Sequence, residues 1–337
     1  MNALQASLVG YRVKELLADR PAGQLHSIHA RAAYCSLPLR PLMLIHCTEL
    51  GGMPFGIGAD METGYLQKAG LERGMQVDIS ADRLFIPAAG FGIDLGRAKV
   101  WRPHECGSGE FSPSRLQANL DHALREVARR CSGAGLGQMI PLLDTLLSAD
   151  ETVQRGGADS LSSEGTAQSG NRKTPGGREL NHLCRACWDP LRQLIRAIRE
   201  QDFPALTNSL TRLIGLGVGL TPSMDDVIAG LISTLHRASD RIPGGAAWVA
   251  AVGSEICMLS VSRTTEVSRN NLFFASSGDR FEILDDLIEA LFTSSGGNLN
   301  DRIGRLVSCG ATSGTELAIG VLLGVKLVLA SHDELGS

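Results

Sequence analysis

The sequence predicts an α+β protein in which a small antiparallel or mixed sheet, barrel-like in its close spacing, precedes a predominantly helical domain. Three observations predict it. Short β-rich runs separated by Gly, Pro and Asp turns fill residues 25 to 100. Those runs lie too close together for repeated strand-helix-strand crossovers. From Pro113 onward the apolar period lengthens to that of amphipathic helices. Residues 1–110 are therefore read as a β-rich domain with a leading helix, and residues 111–337 as a mostly helical domain with a flexible insertion at 154–177.

Taken in order, MNALQASLVGYRVKELLADRP reads as an amphipathic helix, and SIHARAAYC, LMLIHCTEL, MQVDIS and RLFIPA read as strands. SRLQANLDHALREVARRC opens the helical half. Residues 154–177 carry Gly, Ser, Thr and charge without a core-forming period, which marks a surface excursion. Beyond it, helices are expected over roughly 178–200, 204–214, 224–237, 246–260, 281–293, 299–307 and 315–331.

Composition narrows the function classes. With 32 Lys plus Arg against 36 Asp plus Glu, the net charge of −4 disfavours a broad nucleic-acid face. The first residues lack an uninterrupted apolar core, so a cytoplasmic location is expected. The run LAIGVLLGVKLVLA at 317–330 is short and holds Lys326, so it reads as a buried helix rather than a membrane span. The eight cysteines are scattered and read as reduced, mostly buried thiols. Cys184 and Cys187 form a CxxC beside His182, but on a helix this spacing serves packing before zinc, which needs four ligands. A weakly charged chain with 43% hydrophobic residues also suits assembly, including a homo-oligomer.

Glycine is the compositional excess, 39 of 337 residues, and its informative part is local. In LTRLIGLGVGLTPSMDDVIAGLISTL, Gly215, Gly217 and Gly219 join two helical patterns and lead into Thr221, Pro222, Ser223, Asp225 and Asp226. The cap is either Thr221 with Pro222 at the first helical position, or Ser223 with Asp226 closing a capping box. Alternate glycines permit close backbone approach, and first-turn amides can hold phosphate or carboxylate. The loop lacks the Gly-Lys-Ser/Thr ending of a nucleotide P-loop, and the element before it is helical, which excludes the dinucleotide-binding context.

SCGATSGTELAIGVLLG repeats the arrangement, with Gly310, Thr312 and Glu316 at the offsets of Gly219, Thr221 and Asp225. Ser313 and Glu316 have capping-box spacing. Between the two, LSVSRTTEVSRNNLFF places Arg263, with Arg269 behind it, as a bidentate anion donor. Thr264, Thr265, Ser268, Asn270 and Asn271 there can orient a small polar substrate. The expected site therefore combines Asp225, Asp226, Arg263 and Glu316 as catalytic groups. Gly217, Gly219, Thr221, Ser223, Thr264, Ser268, Asn271, Thr312 and Ser313 are expected to bind substrate. The acids can accept a proton from a nucleophilic amine or hold Mg²⁺ against phosphate oxygens; no other cofactor is expected.

GLGVGLTPSMDD, SRTTEVS and GATSGTE together resemble the family that includes the AllH-type subunit of bacterial oxamate carbamoyltransferase. Met224 stands where the family pattern has a small glycine, and Glu316 where it has aspartate. The resemblance implies carbamoyl transfer between oxamate and phosphate by an assembly with other subunits, in purine or allantoin-linked nitrogen metabolism. A noncatalytic subunit that binds a small anion or assists assembly is the competing expectation.

Overall fold

The computed structural model describes residues 4–17, 22–104, 112–131, 133–147, 179–293 and 298–335. The excursion at 154–177 lies outside the described residues. The chain divides into two compact units, residues 1–109 with 278–289, and residues 110–277 with 290–337.

The first unit is built from β1 (Leu4–Gly10), α1 (Tyr11–Leu16), β2 (Ala22–Ile28), β3 (Ala32–Ser36), β4 (Met43–Cys47), β5 (Gly56–Ala59), α2 (Tyr65–Lys68), β6 (Gln76–Ile79), β7 (Arg83–Ile86), β8 (Phe91–Asp94) and β9 (Lys99–Trp101). The sheet runs β5-β4-β3-β2-β6-β7-β8-β1-β9, and β5 pairs back onto β1. That pairing closes eight strands into a mixed barrel and removes the free edges an open sheet would expose. β9 takes the second half of β1, where Leu8–Gly10 have run past the end of β8. Alternating inward residues, among them Leu25, Ala33, Cys35, Met43, Ile45, Ile57, Val77 and Ile93, are buried.

Several elements differ from the sequence expectation, and SIHARAAYC, read as one strand, is the end of β2 and most of β3 joined by a turn. Residues 4–10 are strand rather than helix, because partners on both sides outweigh the local amphipathic period. β5, which holds Gly56 and Gly58, is not among the expected strands. A Cβ at either would fall 3.0 Å from the ring of His46, so they form a notch for that buried side chain. The segment 278–289 returns to this unit, a feature not visible in the sequence. It is held by Asp279 with Tyr11 and Arg12, by Gly52 N–H to Glu282 Oε2 at 2.7 Å, and by His104 N–H to Asp285 Oδ2 at 2.6 Å.

The second unit is helical: α3 (Pro113–Arg130), α4 (Leu143–Leu147), α5 (His182–Glu200), α6 (Phe203–Leu213), α7 (Ser223–Arg237), α8 (Gly245–Arg263), α9 (Glu266–Ser276), the end of α10 (Glu282–Thr293), α11 (Leu299–Val307) and α12 (Ser313–Leu335). Asn181, Asp202 and Thr265 cap α5, α6 and α9 through their side chains. The corner after Arg263 starts a separate helix, α9, which lies outside the expected helix ranges. The run at 317–330 is longer than expected, because α12 extends over 23 residues. By length and composition α12 and α8 could each cross a membrane, and 78% of the α12 window is buried inside the protein against 33% for α8.

At the centre, α7 and α12 run side by side and touch through their backbones. A Cβ on Gly230 would overlap the carbonyl of Leu317, one on Gly320 would overlap the carbonyl of Val227, and one on Gly324 would lie 2.6 Å from the Cβ of Thr234. Gly230 meets the backbone of 317 and 321 while Gly320 meets that of 227 and 231, the reciprocal pattern of two helices in parallel register. Flanking residues, including Val227, Ile228, Leu231, Ala318, Ile319 and Leu322, are buried around the seam.

Gly320→Ala is expected to lower stability by about 2 kcal/mol or more, since a methyl placed against a facing carbonyl forces the helices apart. Chemical denaturation of the purified variant measures it. Gly230→Ala should behave in the same way.

Candidate functional site

The helix seam fixes where the two glycine-polar loops end. α7 begins at Ser223 and α12 at Ser313, and the fourth residue of each is an acid, Asp226 and Glu316. Each acid sits one helical turn ahead of the glycine at which the helices touch. Both are buried, Asp226 4% and Glu316 0% exposed, and the Glu316 charge bears directly on Asp226. The repeat seen in the sequence is therefore real but shifted by one residue: Glu316 corresponds to Asp226, not to Asp225.

The expected caps are also corrected. The residue preceding α7 is Pro222 in an extended conformation, and no side chain caps that end. Thr221 and Ser313 instead face each other, Oγ to Oγ 3.0 Å, and both hydroxyls approach the Asp226 carboxylate. Glu316 is not closed by Ser313; its Oε2 accepts the Thr312 hydroxyl at 3.1 Å. Asp226 Oδ2 and Glu316 Oε1 are left buried with no hydrogen-bond partner. Burial, with the neighbouring Glu316 and Asp225 charges adding to it, pushes the Asp226 carboxyl up to about 8 despite the two hydroxyls.

Asp225 is differently placed. Its Oδ1 accepts Gly215 N–H at 2.7 Å, and its Oδ2 accepts the Thr264 hydroxyl and the Ser268 hydroxyl, the latter at 2.7 Å. With both oxygens engaged, this carboxylate clamps the start of the glycine loop to the corner between α8 and α9. Its pKa is nonetheless raised by burial, the three donors opposing that shift. Further along the loop, Met224 N–H reaches Leu216 O at 3.0 Å and the Thr265 hydroxyl donates to Leu220 O. Gly217, at φ +132°, packs against the backbone N and side chain of Ser223, a conformation and an approach that a side chain would oppose. The loop still leaves Val218 89% and Leu220 49% exposed.

Arg263 is corrected as an anion donor within this cluster. Its guanidinium is exposed and donates to Thr211 O at 2.9 Å, and it is its backbone carbonyl that lies against Gly215. Arg269 pairs with Glu266 on the outside of α9, and Asn271 is exposed on the same helix. Gly219 is open, with nothing near the position a Cβ would take. Among the described residues, no basic side chain pairs with Asp225, Asp226 or Glu316.

Two neighbours went unread in the sequence, and a third, Cys184, was read only for packing. Gly135, in the CSGAGLG turn before α4, leaves room for Glu316 Oε1, which would lie 2.5 Å from a Cβ there. Asn181 holds that turn through Nδ2 to Gly135 O at 2.7 Å. Cys184 lies within electrostatic reach of Glu316; burial raises its thiol to about 11, and that of Cys187 to about 12, so the CxxC is a packed pair of neutral thiols. The glycine density of CSGAGLG was the signal available for this turn.

Residues 213–325 match the family model for oxamate carbamoyltransferase subunit AllH. The matched region holds both glycine loops, α7, α8, α9 and the first part of α12, and it carries the resemblance read from the sequence motifs. No curated protein and no solved structure matches the chain.

Removing the clamp by Asp225→Ala strands three donors in a buried place. It is expected to lower stability by about 3 kcal/mol and to speed hydrogen exchange of the 215–220 amides. Denaturant titration and exchange measurements read both effects. The raised Asp226 carboxyl makes the opposite prediction. Its stabilising contribution is complete below the ordinary carboxyl pKa near 4 and is lost as pH rises through about 8. Asp226→Asn should therefore gain stability over the parent as pH increases, which melting curves between about pH 5 and 9 will show.

Proposed function

We propose that this chain is a carbamoyltransferase-related subunit acting on a small carboxylate or amide substrate with phosphate or carbamoyl phosphate. The paired carboxyls Asp226 and Glu316, each with one unengaged buried oxygen, are the observation that carries this reading. Carbamoyl transfer to or from an amide nitrogen moves a proton at that nitrogen, and the raised Asp226 carboxyl suits handling that proton. The amides of Gly217, Gly219 and Thr221 at the mouth of α7 suit the anionic end of the substrate, where backbone N–H groups and the helix N-terminus favour negative charge. Asp225 acts as a positioning residue that holds this loop in place.

The site lacks a paired cation among the described residues, whereas transfer to or from phosphate develops negative charge that needs one. The missing positive charge is assigned to another subunit of the assembly, and the exposed Val218 and Leu220 on the same loop suit such a neighbour. The setting we propose is purine or allantoin-linked nitrogen metabolism in the cytoplasm. The same two observations favour a second reading, in which the chain binds a small anion or assists assembly without catalysing.

Conversion of oxalurate and phosphate to oxamate and carbamoyl phosphate separates the two. Turnover is expected when the chain is combined with the other carbamoyltransferase subunits. Asp226→Asn in that assembly should lower kcat by about a hundredfold or more while leaving KM within a few-fold. A variant assembly that keeps its kcat would leave only the noncatalytic reading.

A further inference from the structure

Of the two helices apolar enough to cross a membrane, α12 is taken up by the core, whereas only 33% of the α8 window is buried. Between Gly245 and Ser262 the single charged residue of α8 is Glu255, and it faces inward at 5% exposure. The outward side is set by Ala247, Ala250, Ser254, Met258 and Val261, all exposed and spaced three or four residues apart. At about 100° per residue these five fall within roughly 40° of the direction of Ser254, so they form one stripe along the helix. Met258 is 62% and Val261 64% exposed, large apolar groups left in water. The Ser254 hydroxyl donates to Ala250 O of its own helix at 2.9 Å, so the polar member of the stripe needs no outside partner.

The stripe has a direction. Its first half, Ala247 and Ala250, is small, and its second half, Met258 and Val261, is large. Ser254 is its midpoint, with Ala250 and Met258 four residues to either side and Ala247 and Val261 seven. An identical helix laid antiparallel across Ser254 therefore sets Met258 of one copy over Ala250 of the other and Val261 over Ala247, each contact made twice by the two-fold symmetry. Parallel pairing would crowd large on large at one end and leave a gap between small residues at the other. Antiparallel pairing also places each positive helix N-terminus beside a negative C-terminus. An uncharged face offers nothing to a partner selected by charge, and α8 has no Lys or Arg before Arg263, unlike a helix that lies on a lipid surface.

We propose that this face is a homodimer interface, in which α8 pairs antiparallel with α8 of a second copy across a two-fold axis through Ser254. The interface is independent of the carbamoyl-transfer reading. A single pair of 19-residue helices, each about 28 Å long, buries less than the roughly 800 Å² per partner of a standard interface. The dimer is therefore reversible and dissociates in the micromolar range.

Sedimentation equilibrium of the full-length chain between about 1 and 100 μM should show the mass rising from one chain to two. Ala250→Arg puts a helix-compatible side chain into water in the monomer and an unpaired charge into the dimer contact. It should weaken association at least about hundredfold, with the circular dichroism spectrum unchanged. Ser254→Cys places a thiol on the two-fold axis, where helices about 8 Å apart let a cysteine bridge to its own copy. Under mild oxidation that variant should give a 254-to-254 disulfide by mass spectrometry, and Ser262→Cys, eight residues off the axis, should give none. A parent chain that stays monomeric over the whole range, a dimer that survives Ala250→Arg, or a dimer whose Ser254→Cys form yields no such bridge would overturn the interface. Flotation with phosphatidylcholine vesicles reads the lipid alternative, and capture of the monomer by those vesicles would overturn it as well.

Discussion

Everything of chemical interest in the helical unit depends on two helices approaching closely enough for backbone to meet backbone. Gly230 on α7 and Gly320 on α12 have no side chain at the contact, and the carbonyls of Leu317 and Val227 occupy the vacant space. Such an approach is open only to glycine, and it carries more than packing energy. It fixes the parallel register, and the register brings Asp226 and Glu316 into one buried space one turn earlier along each helix. Two carboxyls in that position are electrostatically unfavourable, so the seam supports them at the expense of stability. Functional sites commonly show this relation between a rigid frame and a strained group.

Three acids that look equivalent in the sequence have separate physical roles. Asp225 accepts three hydrogen bonds and ties the glycine loop to the corner between α8 and α9. Asp226 keeps one oxygen free and holds its proton to about pH 8 because burial disfavours the anion. Glu316 keeps one oxygen free beside the Gly135 turn. The difference between neighbours in sequence arises from helical geometry: successive residues point about 100° apart, so Asp225 faces the loop and α9 while Asp226 faces α12. Arg263, which has the right chemistry for an anion, is turned toward the end of α6 by the same corner that Asp225 clamps.

Much of this was legible from residue patterns. The α+β class followed from strand spacing and the later helical period, and both glycine-polar loops were visible as helix entries. The strand at Leu4–Gly10 was not, because its partners β5, β8 and β9 are remote in sequence and pairing there overrides a local amphipathic pattern. β5 was not among the expected strands because the reason for its glycines, the buried ring of His46, comes from a neighbouring strand. The repeat was aligned one residue off because glycine and threonine offsets were matched, whereas the helices are set in register by Gly230 and Gly320 inside them. The Gly135 turn and Asn181 reach the site only through tertiary contact, so no local spacing could have assigned them to it.

The central claim is that the glycine seam buries Asp226 beside Glu316 and so keeps the Asp226 carboxyl protonated through neutrality. Carbon-13 NMR of side-chain carboxyls, followed against pH in the parent and in Glu316→Gln, tests it most directly. The account predicts that the Asp226 carboxyl stays protonated through neutrality, titrating near pH 8, and that removing the Glu316 charge moves that titration. An Asp226 carboxyl titrating near pH 4, unaffected by the substitution, would contradict it.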